Sequence, residues 1–567
     1  MNALTGNLLA VTGWPMRRRL RKALSEFHAM TADCRGVQQR TLKSLLDLNR
    51  ESHFSKDHGL VTAQSVEDLR KAVPVSDYER FRPYIDLMKG GDHRGLLGSQ
   101  NELLMFSLSS GTTSESKFIP ITRRFFDDYR RGWQFWGIRA FDEHKGLKKS
   151  KILQVSSDYD RFRTEGGTPC GNISGLAAKV QHPAVKLLYT LPYEVVQISD
   201  PEARYYTSMR LAVADSHIGM ITTANPSTLI HMAQLADSKR ESIIKDIFDG
   251  TVSAPVDLPP DVRKSLSKRI DRPNPKRARE LEQLVEQTGK LYPSGYWQRL
   301  EVITVWTGGS CASYLPAVRE LYGNRPVRDH GLSASEGRMT IPFEDESPDG
   351  ILDVLSHFFE FIPEEEYGSQ NPIVLEAHEL EEGKDYFILL STCSGLYRYD
   401  ICDVVRCTGF MGTVPILRFL HKGAHISSVT GEKLSESQVV DAMQGTLREC
   451  GHKVSFFTLI PVWGEPPYYR LLLEDSELPP ADRRGRFEEL LDRRLGEMNC
   501  EYEEKRKTGR LAPLKVLPIR NGSWTEIAAQ RRAKIGGSVE QYKHPCLLPR
   551  LEVAEQVARD FELSGSS

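Results

Sequence analysis

The sequence predicts an α/β fold in two parts, a large N-terminal domain and a smaller C-terminal one. Three observations predict it. At 567 residues the chain exceeds what one ordinary hydrophobic core organises. Between Lys151 and Ile230 short apolar runs alternate with helical ones, as when helices cover a sheet. Around 421–438 (HKGAHISSVTGEKLSESQ) the character turns polar and then helical, which places a boundary there. The large part is 1–425 and the small part 426–567.

The elements follow in order. Leu20, Leu24, Phe27 and Met30, then Leu42, Leu45, Leu46 and Leu48, recur at helical spacing and predict two amphipathic helices over 15–50. Residues 65–92 read as a helix, a Pro-broken extended piece and a second helix closed by Gly90 and Gly91. Arg123 to Phe141, rich in aromatic and basic residues, is a long helix. ILQVSS (152–157), EVVQIS (194–199) and HIGMITT (217–223) read as strands, RYYTSMRLAVADS (204–216) as helix, and 257–287 as exposed connector helices. LEVITVW (300–306) is a buried strand, and FFEFI, YFILLST and VVRCTGF are further strands. Past the boundary KVSFFTLIP, YYRLLLE and LKVLPI are strands around a charged helix at 481–508.

Composition bounds the function. With 40% apolar and 27% charged residues the chain falls in the soluble globular class. A formal net charge of -1 argues against nucleic acid as the main partner. Nine scattered cysteines with no C-x-x-C pair suit a reducing compartment. No apolar run reaches the length of a membrane span. The apolar patch Leu8–Val11 precedes the basic cluster Arg17–Lys22, the reverse of a secretory signal. The expectation is a cytoplasmic protein without a membrane partner.

Four stretches carry chemistry. In FSLSSGTTSESKFIP (106–120) a buried strand runs into a loop of hydroxyls and unhindered N–H groups, followed by Lys117. Such a loop suits phosphate oxygens, and the lysine adds charge, although a solvated hairpin has the same composition. The Walker spacing is absent. In TGGSCASYLPAVRELYG (307–323) a strand enters a small-residue turn, open to a planar or anionic ligand or simply a strand–helix turn. DHGLSASEGRM (329–339) sets Ser333, Ser335 and Glu336 on a Gly-flanked loop, a place for hydrated Mg²⁺ or a helix N-cap. In GLYRYDICDVVRCTGF (395–410), Asp403 stands at the mouth of an apolar strand, suited to ribose hydroxyls or to a plain turn.

Order and content together make the set specific. It resembles the Gretchen Hagen three family, the auxin-responsive acyl acid–amido synthetases of the firefly-luciferase-type adenylating superfamily. The family's Ser-Ser-Gly-Thr-Ser run with its Lys and Pro is similar to Ser109, Ser110, Gly111, Thr112, Thr113 and Ser114 with Lys117 and Pro120. Its Ala-Ser-Ser-Glu motif is similar to Ser333-Ala334-Ser335-Glu336, and its Tyr-Arg-x-Gly-Asp motif to Tyr399–Asp403. Thr307-Gly308-Gly309-Ser310 with Tyr314-Leu315-Pro316, and Gln541-Tyr542-Lys543, also resemble family segments, so the likeness spans nearly the whole chain. Departures are Thr113 for Ser, Ala334 between the two serines, Asp400 for Arg, Cys402 for Gly, and His544-Pro545-Cys546 without the arginine that often follows Gln-Tyr-Lys.

The resemblance implies an ATP- and Mg²⁺-dependent ligase, acting as a monomer on a carboxylic acid and an amino acid. It implies a large adenylation domain and a mobile α+β lid domain. It assigns the 109–114 loop and Lys117 to the phosphates, Glu336 to Mg²⁺, Asp403 to the ribose, and Thr307, Ser333 and Ser335 to the nucleotide neighbourhood. Lys433 and Lys543 become the catalytic lysines of the closing lid. The acyl pocket is implied between the helix segment Tyr129–Trp136 and elements near 160–225, with Arg130 or Arg131 as partners for the substrate carboxylate. Coenzyme A as the acceptor, or a catalytically silent nucleotide-binding relative, are the alternatives. Nothing in the sequence selects the acid.

Overall fold

The structure, a computed structural model, describes residues 14–549 except 111–115, 254–257, 424–425, 428, 430–431, 433, 465, 508, 510 and 536–543. Helices α1 (Trp14–Met30) and α2 (Cys34–Asn49) lead the chain and bury Leu24, Phe27, Leu42, Leu45 and Leu46 of the stripe read from the sequence, while Met30 at the end of α1 is exposed. The Asp33 side chain caps α2 by accepting from Gly36 N. Gln38 fastens α2 to the body by donating to the carbonyls of Val354 (2.8 Å) and His357 (2.9 Å).

Strands β1 (Leu103–Ser110) and β2 (Ser116–Thr122) form an antiparallel hairpin, and α3 (Arg123–Glu143) starts directly after it with Thr122 as N-cap. The Ser/Gly/Thr tip, including Gly111, Thr112, Thr113 and Ser114, lies outside the described residues.

A second sheet is wholly parallel: β3 (Lys151–Gln154), β4 (Ile218–Thr222), β5 (Val302–Thr304) and β6 (Val327–Arg328), in that spatial order. Its strands are buried and covered by helices, among them α4 (Pro201–Ala214), as an all-parallel sheet requires. The run EVVQIS is not a strand. Tyr193–Gln197 forms a 3-10 turn between Pro192 and Pro201, and Val195 and Ile198 bury against Val262, Leu266 and Ile270 of helix α5 (Pro260–Ile270). Packing against that helix overrides the strand preference of the valines.

Two very short strands, β7 (Ser333–Ala334) and β8 (Gly337–Arg338), follow. Then comes a seven-stranded antiparallel sheet centred on β9 (Asp385–Ser391), β10 (Tyr399–Met411) and β11 (Val414–Lys422). The remaining chain has its own cores. Helix α6 (Glu436–Cys450), strands β12 (Thr458–Val462) and β13 (Tyr468–Glu474), helix α7 (Ala481–Met498) and strand β14 (Lys515–Ile519) bury Val439, Leu459, Leu471 and Leu491 among themselves. Among the described residues no helix is long and apolar enough to cross a membrane.

Candidate functional site

The site grows from a hairpin. Ser335 and Glu336 form the two-residue turn between β7 and β8, where Ala334 pairs with Gly337 and Ser333 with Arg338. The segment 329–339 is therefore neither a helix N-cap nor an open loop. A Cβ on Gly337 would meet His357 Nε2 at 2.5 Å, so only glycine lets the hairpin seat this closely. The turn turns Glu336 inward, where it is 7% exposed. Its Oε1 accepts from the Tyr399 hydroxyl at 3.4 Å, and Lys117 Nζ, from β2, donates to the same hydroxyl at 3.4 Å. Burial pushes the Glu336 carboxyl above its usual range, Lys422 and Lys117 pull it back, and Asp403 adds to the rise.

Asp403 lies inside β10 rather than at its mouth, because the strand already starts at Tyr399. It stands opposite Lys422 of β11, and Lys422 Nζ pairs with Asp403 Oδ1 at 2.5 Å. Burial works against the charge of Lys422, but Asp403 and then Glu336 outweigh it and hold the ammonium above its ordinary pKa. Two half-buried lysines and two buried carboxylates thus share one locus around Tyr399.

The geometry bears on the two motif departures nearby. Cys402 has φ +56°, a left-handed conformation that favours glycine, beside an irregularity in the β9–β10 pairing. Asp400, the reversed charge, is spent locally: Tyr367 Oη and Cys402 N donate to it, each at 2.7 Å.

The parallel sheet brings up the second wall. At the carboxyl end of β6, Asp329 accepts from Thr307 N and Oγ1 (2.5 and 2.7 Å) and from Gly331 N (2.6 Å). It thereby ties the Thr307 turn to the strand that leads into the Glu336 hairpin. Gly309 (φ +57°) lets that turn pass β11, where a Cβ would lie 2.8 Å from the Leu420 carbonyl, two residues before Lys422. His330 Nε2 sits between Thr222 Oγ1 (3.1 Å) and Thr304 Oγ1 (3.3 Å), with the Trp133 ring edge-on at 4.9 Å. Burial drives this imidazole down to about 3, so it is neutral.

A cavity of about 140 Å³ opens at the carboxyl end of β3, lined by Gln154, Val155, Tyr189, Tyr205 and Arg269 among others. The arginines named for a substrate carboxylate are placed elsewhere. Arg131 is paired with Asp128 and Asp353, and Arg130 lies over the Phe126 ring at 5.7 Å.

The structure therefore brings together Lys117, Glu336 and Asp403, with the Thr307 turn and Ser333 and Ser335 alongside. Ser109 and Ser110 are the last residues of β1. Lys433 and Lys543 lie outside the described residues. Lys422, Asp329 and Arg338 escaped the sequence reading. For Lys422 a signal existed: counting outward from the Gly412-Thr413 turn places it opposite Asp403. Arg338 stacks over Trp133 (4.4 Å) and passes where a Cβ on residue 132 would be, which makes Gly132 its necessary neighbour.

A parallel sheet and an antiparallel sheet meet at a shared polar locus, and a small α+β unit follows them. The backbone superposes on a solved GH3.15 acyl acid amido synthetase with a TM-score of 0.83 over 95% of this chain and 96% of that one, at 21% identity. The chain belongs to the GH3 family. The sequence models of the GH3 family N-terminal, central and C-terminal domains match residues 23–327, 350–422 and 437–552. It is 24% identical over 553 residues to the indole-3-acetic acid-amido synthetase GH3.3 of Arabidopsis thaliana, covering 92% of this chain and 91% of the relative. It is 25% identical over 560 residues to the jasmonoyl-L-amino acid synthetase GH3.5 of Oryza sativa subsp. japonica, covering 92% and 94%.

Proposed function

We propose that the protein is an ATP-dependent acyl acid–amido synthetase. It adenylates a carboxylic acid and transfers the acyl group to the amine of an amino acid. The observation that carries this reading is the cluster of Lys117, Tyr399, Glu336, Asp403 and Lys422, on a chain that aligns over nine-tenths of its length with amido synthetases. In the first step a substrate carboxylate oxygen attacks the α-phosphorus of ATP, and pyrophosphate leaves. In the second the amine attacks the acyl carbon, and AMP leaves. A carboxylate approaching a polyanionic nucleotide needs cations that are already in place.

Lys117 and the 109–114 loop are assigned to the phosphates, and Thr307, Ser333 and Ser335 to the nucleotide neighbourhood. Lys422 occupies one oxygen of Asp403 and leaves Oδ2 for a ribose hydroxyl. Glu336 suits Mg²⁺, which commonly takes one or two carboxylates and completes its shell with phosphate and water. The ion supplies charge neutralisation at the phosphates.

The acyl group lies between Trp133 on α3 and the cavity at the end of β3. Residues 1–425 act as the adenylation domain and 426–567 as its lid, which carries Lys433 and Lys543 to the phosphates. We place the protein in the cytoplasm, as a monomer. The test is carboxylate-dependent ATP–pyrophosphate exchange over a panel of acids, followed by mass spectrometry with amino acids and coenzyme A. Amide product is expected. A thioester product transfers the reading to a coenzyme A ligase, and no exchange with any acid contradicts it.

A further inference from the structure

Phe456 stands on the loop that enters β12, half-buried, and packs on two cores at once. It thereby touches a core of the 14–423 body and a core of the C-terminal unit. On one side its ring meets Tyr314 edge-on, with centroids 5.2 Å apart. Tyr314 closes the 3-10 turn Gly309–Tyr314, which begins at the Thr307 segment beside the proposed nucleotide site. On the other side Phe456 meets His544 at 5.3 Å, and His544 meets Trp524 at 4.7 Å. Four rings therefore run from the nucleotide-side turn into the small unit.

The inner end of this ladder is anchored. His544 Nε2 lies 3.0 Å from Thr458 Oγ1 and 2.9 Å from the Phe457 carbonyl. Thr458 Oγ1 donates to the Pro545 carbonyl (2.8 Å), and Leu459 N donates to the Cys546 carbonyl (2.8 Å). Glu436, first residue of α6, accepts from Cys546 N at 2.6 Å. Residues 544–548 thus move with β12 and α6 as one block, while Phe456 projects from that block onto Tyr314. Helix α6 also packs on the Gly309–Tyr314 turn, and an exposed Lys453–Glu320 ion pair (3.0 Å), of a kind that contributes little, flanks it.

We propose that Phe456 is a positioning residue that sets the docking angle of the small domain on the nucleotide-side turn, and so governs the adenylation half-reaction. This rests on the synthetase reading above. A ring wedged between two rigid bodies converts its volume into an angle, and small misplacements of a catalytic group cost large factors in rate.

The test compares wild type, Phe456→Leu, Phe456→Ala and Phe456→Tyr in two assays. One is acid-dependent pyrophosphate exchange, and the other is amide formation from supplied acyl-adenylate. Phe456→Leu keeps most of the buried volume without the ring, which guards against simple unfolding. It should lower the exchange kcat by about ten-fold or more while amide formation and the KM for ATP stay within about two-fold. Phe456→Tyr, which restores the ring, should recover exchange. If both half-reactions fall together in Phe456→Leu, or neither moves, Phe456 is packing only and the proposal is overturned. Loss of amide formation with exchange intact overturns it as well. A wild-type enzyme with no exchange for any acid sinks the synthetase reading instead, so the two failures are distinguishable.

Discussion

Glu336 holds its proton further up the pH scale than a free carboxylate because burial costs the charged form more than Lys422 and Lys117 return. Its folded-state pKa is raised, so its contribution to stability is present below the unfolded pKa and is lost as pH rises through the folded value. A divalent cation reverses that preference by demanding the carboxylate. Binding of Mg²⁺·ATP should therefore release a proton at pH below the raised pKa of Glu336 and tighten as pH rises toward it. Calorimetry in two buffers of different ionisation enthalpy reads that proton directly. Glu336→Gln should remove it together with pyrophosphate exchange, and an unchanged proton release in the variant would take Glu336 out of the metal role. For Asp403, 3% exposed, the expectation is a binding effect. Losing one charge-assisted partner is worth roughly 1.5–3 kcal/mol, about 10–150-fold in ATP affinity for Asp403→Asn. If affinity holds while the thermal midpoint collapses, the Asp403–Lys422 pair is structural.

At the scale of the element, β10 shows why a motif keeps its length while changing its letters. Residue 402 must adopt φ near +56°, which a β-branched side chain tolerates poorly. Cys402→Gly should be near neutral, since relief of the left-handed backbone is offset by greater unfolded-chain entropy. Cys402→Val should cost about 1–2 kcal/mol in chemical denaturation. Equal stability of the two variants would mean that the bulge is not a constraint.

The same strand marks how far the sequence could be read. The helical stripes of α1 and α2 and the apolar runs of β4 and β9 were legible, because local periodicity reports one buried face. The valines of EVVQIS misled for the same reason: two prolines and the neighbouring α5, not the run itself, decide that it turns. The hairpin that aims Glu336 inward was not legible, because it depends on His357 twenty-one residues away standing where a Cβ on Gly337 would be. Lys422 was recoverable only by counting across the β10–β11 turn. Asp329, which holds Thr307, gives no local sign of its partner.

For the whole molecule the issue is closure. In the proposed reading Lys543 acts from the small unit, which has its own core, when that unit closes over the larger body. A cation arriving with the lid should help the transition state more than it helps ATP binding. Lys543→Ala should slow acyl-adenylate formation by more than about 10²-fold, change ATP affinity far less, and leave supplied acyl-adenylate convertible to amide. Normal adenylation with failed amide formation would move this lysine to the second step.

The central claim is that the acid is activated as its adenylate at the Glu336–Asp403–Lys422 locus. It is tested most directly by turning over an acid whose carboxylate oxygens are isotopically labelled, with ATP and an amino acid, and weighing the AMP released. Attack of the carboxylate on the α-phosphorus carries one labelled oxygen into each AMP, and the amide keeps the other. That is the predicted result. Unlabelled AMP alongside amide product, or label recovered in inorganic phosphate, would contradict the account.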